Sequence, residues 1–200
     1  MTTVSREEVD RVRRRIAQAQ ELAAERFRQA FAAAPLPPTA HLEIQAAALL
    51  ESAEHIRIAG QIRYQIDGSV ITPYVTRGAP IYPFFDLDRT AVAVFEYWLV
   101  VSEIVSSTSW RMTRVIADAE EYDAALRLIQ SPQIVRALVV SFLPEVDIRD
   151  DGSAMLAATV YTRAQEERVE RRTLFLDASN EFHFHGRELI AEGRGGIPSS

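Results

Sequence analysis

The chain has 200 residues, 48% of them apolar and 25% charged, with a net charge of −6. That length and composition suit one globular domain, or one domain with an appendage, and the acidic balance excludes a general phosphate-backbone binder. Cysteine and lysine are both absent, which excludes disulfides, thiolate metal sites, Schiff-base catalysis and a P-loop lysine; all 22 basic residues are Arg, so planar bidentate recognition stays available.

The opening MTTVSREEVDRVRRR lacks the apolar run of a signal peptide, and no membrane-spanning or lipidation pattern follows, so a cytoplasmic location is expected. Ser5 and Glu8 have capping-box spacing. Behind them Val9, Val12, Ile16, Ala19, Ala23 and Phe27 recur at steps of three and four, which predicts an amphipathic helix filling residues 1–34. The stripe is narrow and rich in Ala, and it is the candidate partner-binding face. Arg11, Arg13, Arg14 and Arg15 read as a solvated face balanced by Glu7, Glu8 and Asp10.

Residues 35–38 (PLPP) form a Pro-rich hinge, because Pro lacks the helical N–H and restricts the residue before it. An α+β domain is expected over 39–190. It begins with a helix capped by Thr39, with Leu42, Ala46, Leu49, Leu50 and Ala53 on one face, and the two helices read as a helical hairpin, or as one docked helix plus a protruding arm. Ile56, Ile58, Gly60, Ile62, Tyr64 and Ile66 then alternate with polar neighbours as one half-buried strand. Asp67-Gly68 follows, the dipeptide of type I′ hairpins, and Ser69–Thr76 returns as the partner strand. Pro80 and Pro83 make Ile81–Phe85 an edge strand or a loop.

Ala91–Val105, AVAVFEYWLVVSEIV, is the most apolar stretch and the expected spine of the core. As a helix it would align Arg89, Glu96 and Glu103 on one face. Its β-branched and aromatic content, the turn-like residues 106–109 and the alternation over 110–116 favour a strand buried on both faces. Asp118 caps a helix carrying Tyr122, Ala125, Leu126 and Ile129. Residues 133–149 read as a long strand, Asp151-Gly152 as a hairpin turn, and Ala154–Arg163, Val169–Asp177 and Glu181–Ile190 as a meander. Residues 191–200 read as a flexible tail.

The expected fold is therefore α+β, with N-terminal helices followed by a mostly antiparallel curved sheet. By its element order alone it resembles the cone-like sheet of NTF2-like domains.

Chemistry concentrates in two places. On a strand Glu181, His183 and His185 share one side, the pattern that could supply ligands to a divalent metal. Glu96 and Glu103 interrupt the apolar spine, and a buried carboxylate must be paired or shifted in pKa. Glu96, His183 and His185 are the candidate catalytic residues. Asp86-Leu87-Asp88 and the Asp147–Asp151 segment are weaker cation patterns that turns also explain. No cofactor is called for, and hydrolase, zincin, Rossmann and Walker motifs are missing. Two functions follow: a non-enzymatic binding or assembly protein that oligomerises, or binds a protein partner, through its N-terminal helix and sheet surface; or a small-molecule pocket, serving a cofactor-independent lyase or isomerase through a buried carboxylate and a His.

Overall fold

The computed structural model describes residues 1–106, 112–135, 141–163 and 167–193. Short local signals do what they were expected to do at the start of the chain. The Glu8 N–H donates to Ser5 Oγ (3.3 Å) and the Ser5 N–H donates to the Glu8 carboxylate (2.8 Å), completing the capping box of helix α1 (Arg6–Ala33). Proline stops α1, and α2 (Ala40–Ser52) folds back on it to form a helical hairpin. Thr39 precedes α2, but its side chain makes no capping bond and donates instead to Glu43 (3.3 Å).

The central apolar run is a helix, α3 (Ala91–Ser106), and not the predicted strand. Thr90 opens it: its Oγ1 accepts from the Ala93 N–H (3.2 Å), and its carbonyl from the Val94 N–H (3.0 Å). Val94, Phe95, Tyr97, Trp98, Val101 and Ile104 are all buried, because α3 is touched by α1, α2 and the sheet together. A helix enclosed on every side is apolar on every side, so it shows no amphipathic period. Its β-branched residues then suggest a strand, although sixteen residues is long for one. Tertiary packing overrides the local preference.

The continuous strand expected over 56–66 is two strands in different sheets. β2 (Ile56–Ile58) is followed by Gly60, whose φ of 121° belongs to glycine, and where a Cβ would lie 2.6 Å from the Val75 side chain. β3 (Arg63–Asp67) resumes the chain and pairs antiparallel with β4 (Val70–Tyr74). This hairpin is the predicted one with a different turn. Asp67 pairs with Val70, so Gly68 and Ser69 are the central residues, and of the two only Gly68 has positive φ (59°), the pattern of a II′ turn and not I′. Tyr82–Phe84 form a single 3-10 turn leading into β5 (Phe85–Leu87), which pairs with β2.

Among the described residues the main sheet has seven strands and curls into an antiparallel half-barrel. Its frame is the predicted meander: β9 (Ala154–Arg163), β10 (Glu167–Leu176) and β11 (Phe182–Gly193). The other edge of β9 is shared. β8 (Glu145–Ile148) pairs with its first half and β6 (Met112–Val115) with its second, while β1 (Thr2–Thr3) adds to β8 and β7 (Pro132–Ile134) to β11. The Asp151-Gly152 turn is present, with Gly152 at φ 80°. The long strand expected over 133–149 is instead the separate β7 and β8; its residues 136–140, the turn residues 107–109, Trp110 and the tail at 194–200 lie outside the described residues.

Each face of the sheet carries its own core. Leu156, Ala158, Val160 and Leu176 pack toward α1, α2 and α3, whereas Tyr161, Val169, Ile190 and Ala191 pack with Ile116 and with Ala125 and Ile129 from and beside α4 (Ala119–Leu128). Burial on both faces explains why β9 is nearly all apolar or small. Asp118 caps α4 by accepting from the Glu121 N–H (2.8 Å). The fold is α+β as expected, and among the described residues no helix is long and apolar enough to cross a membrane.

The arginines of α1 are only partly the solvated face they were expected to be. Arg13 donates to both oxygens of Glu121 (2.7 and 3.1 Å) and to the Val115 carbonyl, and Arg6 reaches Glu121 (3.0 Å) and Asp118 (2.8 Å). These pairs tie α1 to α4. Burial alone would raise the Glu121 carboxyl, but hydrogen bonds from Arg13, the Ala117 N–H and Arg6 outweigh it and hold the carboxyl down at about 2. A lowered folded-state pKa gives stability that is complete above the ordinary value of 4.5 and is lost as pH falls toward 2. Glu121→Gln should therefore be less stable than the parent at pH 7, with the gap closing between pH 4.5 and 2. Urea unfolding at a series of pH values reads this; a gap that does not change with pH would mean the charge is not what ties the helices.

Candidate functional site

Glu96 lies on α3 and is 1% exposed. Its carboxylate accepts from the backbone N–H groups of Glu54 (3.2 Å to each oxygen) and His55 (2.9 Å), and Arg15 of α1 stands 3.6 Å away. Arg15 also pairs with Glu54. The carboxylate thus satisfies two N–H groups in the link between α2 and β2 and joins three helices. Its oxygens are engaged by these backbone donors. Glu103, two turns on, faces the same way and accepts from Gln20 Nε2 of α1 (3.0 Å); burial raises its carboxyl above the ordinary range, with the Gln20 bond acting against this. The helical alternative for this run thus brought the two carboxylates to one face, as the sevenfold spacing implies.

His183 and His185 are exposed on β11, whereas the Glu96 carboxylate is turned toward the α2–β2 link and α1. Glu96 is 1% exposed, whereas both histidines lie on the surface. A bulge explains part of the difference: Leu174 pairs with Phe184 and Thr173 with Gly186, which leaves His185 as the extra residue and interrupts strict alternation.

The structure groups Glu181 and His183 with Asp177, a residue the strand parity did not reveal. Ligating atoms of Asp177, Glu181 and His183 all lie within 4.8 Å of one another. The β10–β11 turn positions them. Asp177 Oδ1 accepts from the Ser179 N–H (2.8 Å), Ser179 Oγ (2.7 Å) and the Glu181 N–H (2.9 Å), and Oδ2 lies 2.7 Å from His183 Nε2. Burial acts to raise the Asp177 carboxyl, yet the bonds from His183, Ser179 and the Glu181 N–H hold it at about 2. Asn180, at φ 66°, fastens the turn to the body of the protein. Its amide donates to the Phe85 carbonyl (2.9 Å), its side-chain oxygen accepts from Arg89 (2.8 Å), and its carbonyl accepts from the Tyr97 hydroxyl (2.7 Å). The Asp-Ala-Ser-Asn run after a strand was the available signal for Asp177, since Asp side chains commonly accept backbone N–H groups two residues on.

The other cation patterns are accounted for locally. Asp88 pairs with His55 (3.3 Å), and Asp151 accepts from the Ser153 N–H (2.9 Å) and hydroxyl (2.7 Å) within its turn. A second buried carboxylate, Glu170 on β10, was also not singled out by the sequence. Arg168 (3.2 Å), Arg172 and Arg187 (3.8 Å) surround it, and the alternation of Arg168, Glu170 and Arg172 on one strand face was its signal.

The candidate partner-binding stripe is mostly internal. Val9, Val12, Ala19 and Ala23 are buried in the main core, with Ile16 packed against it. As a partner-binding face the stripe is thus corrected: of its six residues only Phe27 is outside the core, because the chain itself covers the rest, as in the helical-hairpin alternative. What remains accessible lies at the far end of the helical hairpin. Gln20, Ala23, Ala24 and Phe27 of α1 and His41 and Gln45 of α2 line a groove of about 280 Å³. Phe27 stacks on Phe31 (6.0 Å) and meets His41 edge-on (6.3 Å), and Phe31 is 66% exposed.

Comparison of the chain with protein families, curated proteins and solved structures finds no match.

Proposed function

We propose that this chain is a non-enzymatic assembly protein that pairs with a second copy of itself through the end of its α1–α2 hairpin. The observation that carries the reading is a hole and a knob on the same short surface. The groove beside Phe27 is concave and lined largely by apolar atoms of Ala23, Ala24 and Phe27, and Phe31 protrudes one turn further along. A two-fold dimer needs a patch that complements itself, and a face with both features meets that need when each Phe31 enters the other copy's groove. The charges around it are internally paired: Arg26 with Glu51 (2.8 Å) and Arg28 with Glu25 (2.7 Å). Apolar contact is left as the main source of affinity.

Light scattering over a concentration series tests this. The parent chain should reach twice its 22.5 kDa mass, and Phe31→Glu should shift it back to the single-chain value by placing a charge where an apolar side chain docks. A parent that stays at 22.5 kDa at every concentration would overturn the proposal, as would a dimer that Phe31→Glu leaves unchanged.

A further inference from the structure

We infer that Asp177, Glu181 and His183 form a binding site for one Zn²⁺ ion. The inference is independent of the dimer proposal and concerns the opposite end of the chain. Three features support it. First, an imidazole and two carboxylates from one turn bring ligating atoms within 4.8 Å of one another, so small side-chain rotations would close them around a cation. Second, the turn is built before any ion arrives. Asp177 receives two backbone N–H groups, and Asn180 is anchored to Phe85, Arg89 and Tyr97, so the backbone positions of all three ligands are fixed. Third, the negative charge is only partly answered. His183 contacts Asp177, but the Glu181 carboxylate has no hydrogen-bond or ion-pair partner among the described residues. The nearby guanidiniums are committed elsewhere, Arg89 to Asn180 and Arg149 to the Phe175 ring (5.4 Å).

The donor set selects the metal. Mg²⁺ and Ca²⁺ prefer shells made of oxygen, whereas Zn²⁺ accepts imidazole nitrogen together with carboxylate oxygen and is satisfied by three protein ligands and a water. Binding replaces the contact between His183 Nε2 and Asp177 Oδ2. The cation takes the place of the proton between them, and the imidazole coordinates through Nε2 in its neutral form.

Isothermal titration of the full chain with ZnCl₂ tests the site. One Zn²⁺ per chain is expected. His183→Ala and Glu181→Gln should each weaken binding at least about tenfold, the scale on which even supporting groups affect metal affinity. Asp177 is left intact because it holds the turn. His185→Ala should change affinity less than about twofold. Absence of stoichiometric binding would overturn the inference. So would binding that survives both His183→Ala and Glu181→Gln, or a loss with His185→Ala as large as that with His183→Ala, which would mean that the two histidines chelate without the carboxylates. Circular dichroism of each variant separates loss of a ligand from loss of the fold.

Discussion

Glu96→Ala should lower the free energy of unfolding by about 3–5 kcal/mol, the range for removing one partner of a buried ion pair. The substitution leaves the N–H groups of Glu54 and His55 without their acceptor and leaves Arg15 paired with Glu54 alone. An unsatisfied buried N–H alone costs about 1–3 kcal/mol. Glu96→Gln keeps one acceptor oxygen but turns an amide donor toward a donor, so an intermediate loss is expected. The urea midpoint should fall in the order parent, Gln variant, Ala variant, with the slope of the transition unchanged. If the Ala variant unfolds like the parent, the carboxylate is not holding the α2–β2 link, and a chemical role for it would have to be reopened.

The second large effect concerns α1. On the assembly reading of the sequence, deleting residues 1–38 would lower the oligomeric state and leave the β-rich domain folded. The packing gives the opposite expectation: a chain lacking residues 1–38 should show no cooperative unfolding transition. Val4, Val9 and Val12 are each about 1% exposed or less in the main core. Fully burying such side chains is worth about 1.5–3 kcal/mol apiece, so the three together approach a total stability of about 5–15 kcal/mol. The deletion also takes away Arg15 from Glu96, and Arg6 and Arg13 from Glu121. Near-ultraviolet circular dichroism and urea unfolding of residues 39–200 decide the matter. A sigmoidal transition with the parent's slope would restore α1 to the status of an appendage.

How much of this was legible depends on how local each cause is. The Ser5 capping box, the Asp118 cap, the Asp151-Gly152 turn and the β9–β11 meander are written within a few residues, and the chain carries them out as read. The α3 run was not legible, because its enclosure by α1, α2 and the sheet removes the polar face on which a helical period depends. Gly60 was counted as a member of an alternating strand, although alternation cannot show that its φ is positive or that the Val75 side chain approaches it closely. The site showed the same division. Glu181 and His183 were visible as chemistry, whereas Asp177 joins them only because a turn reverses the chain. The Ala-rich stripe was visible as an interface, but a periodicity does not say whether the surface it meets belongs to another chain or to its own.

The pairing of β1 with β8 sets a schedule for folding. Thr2 and Thr3 meet Val146 and Glu145, the Val4 N–H donates to the Pro144 carbonyl (2.9 Å), and Arg13 waits for Glu121. Each of these contacts spans more than a hundred residues, and loops of that size close slowly. On the ribosome, α1 and α2 are complete long before any of these partners has been made. The N-terminal end of α1 is therefore without these partners while the rest of the chain is made, a stage at which incomplete chains are most prone to associate wrongly.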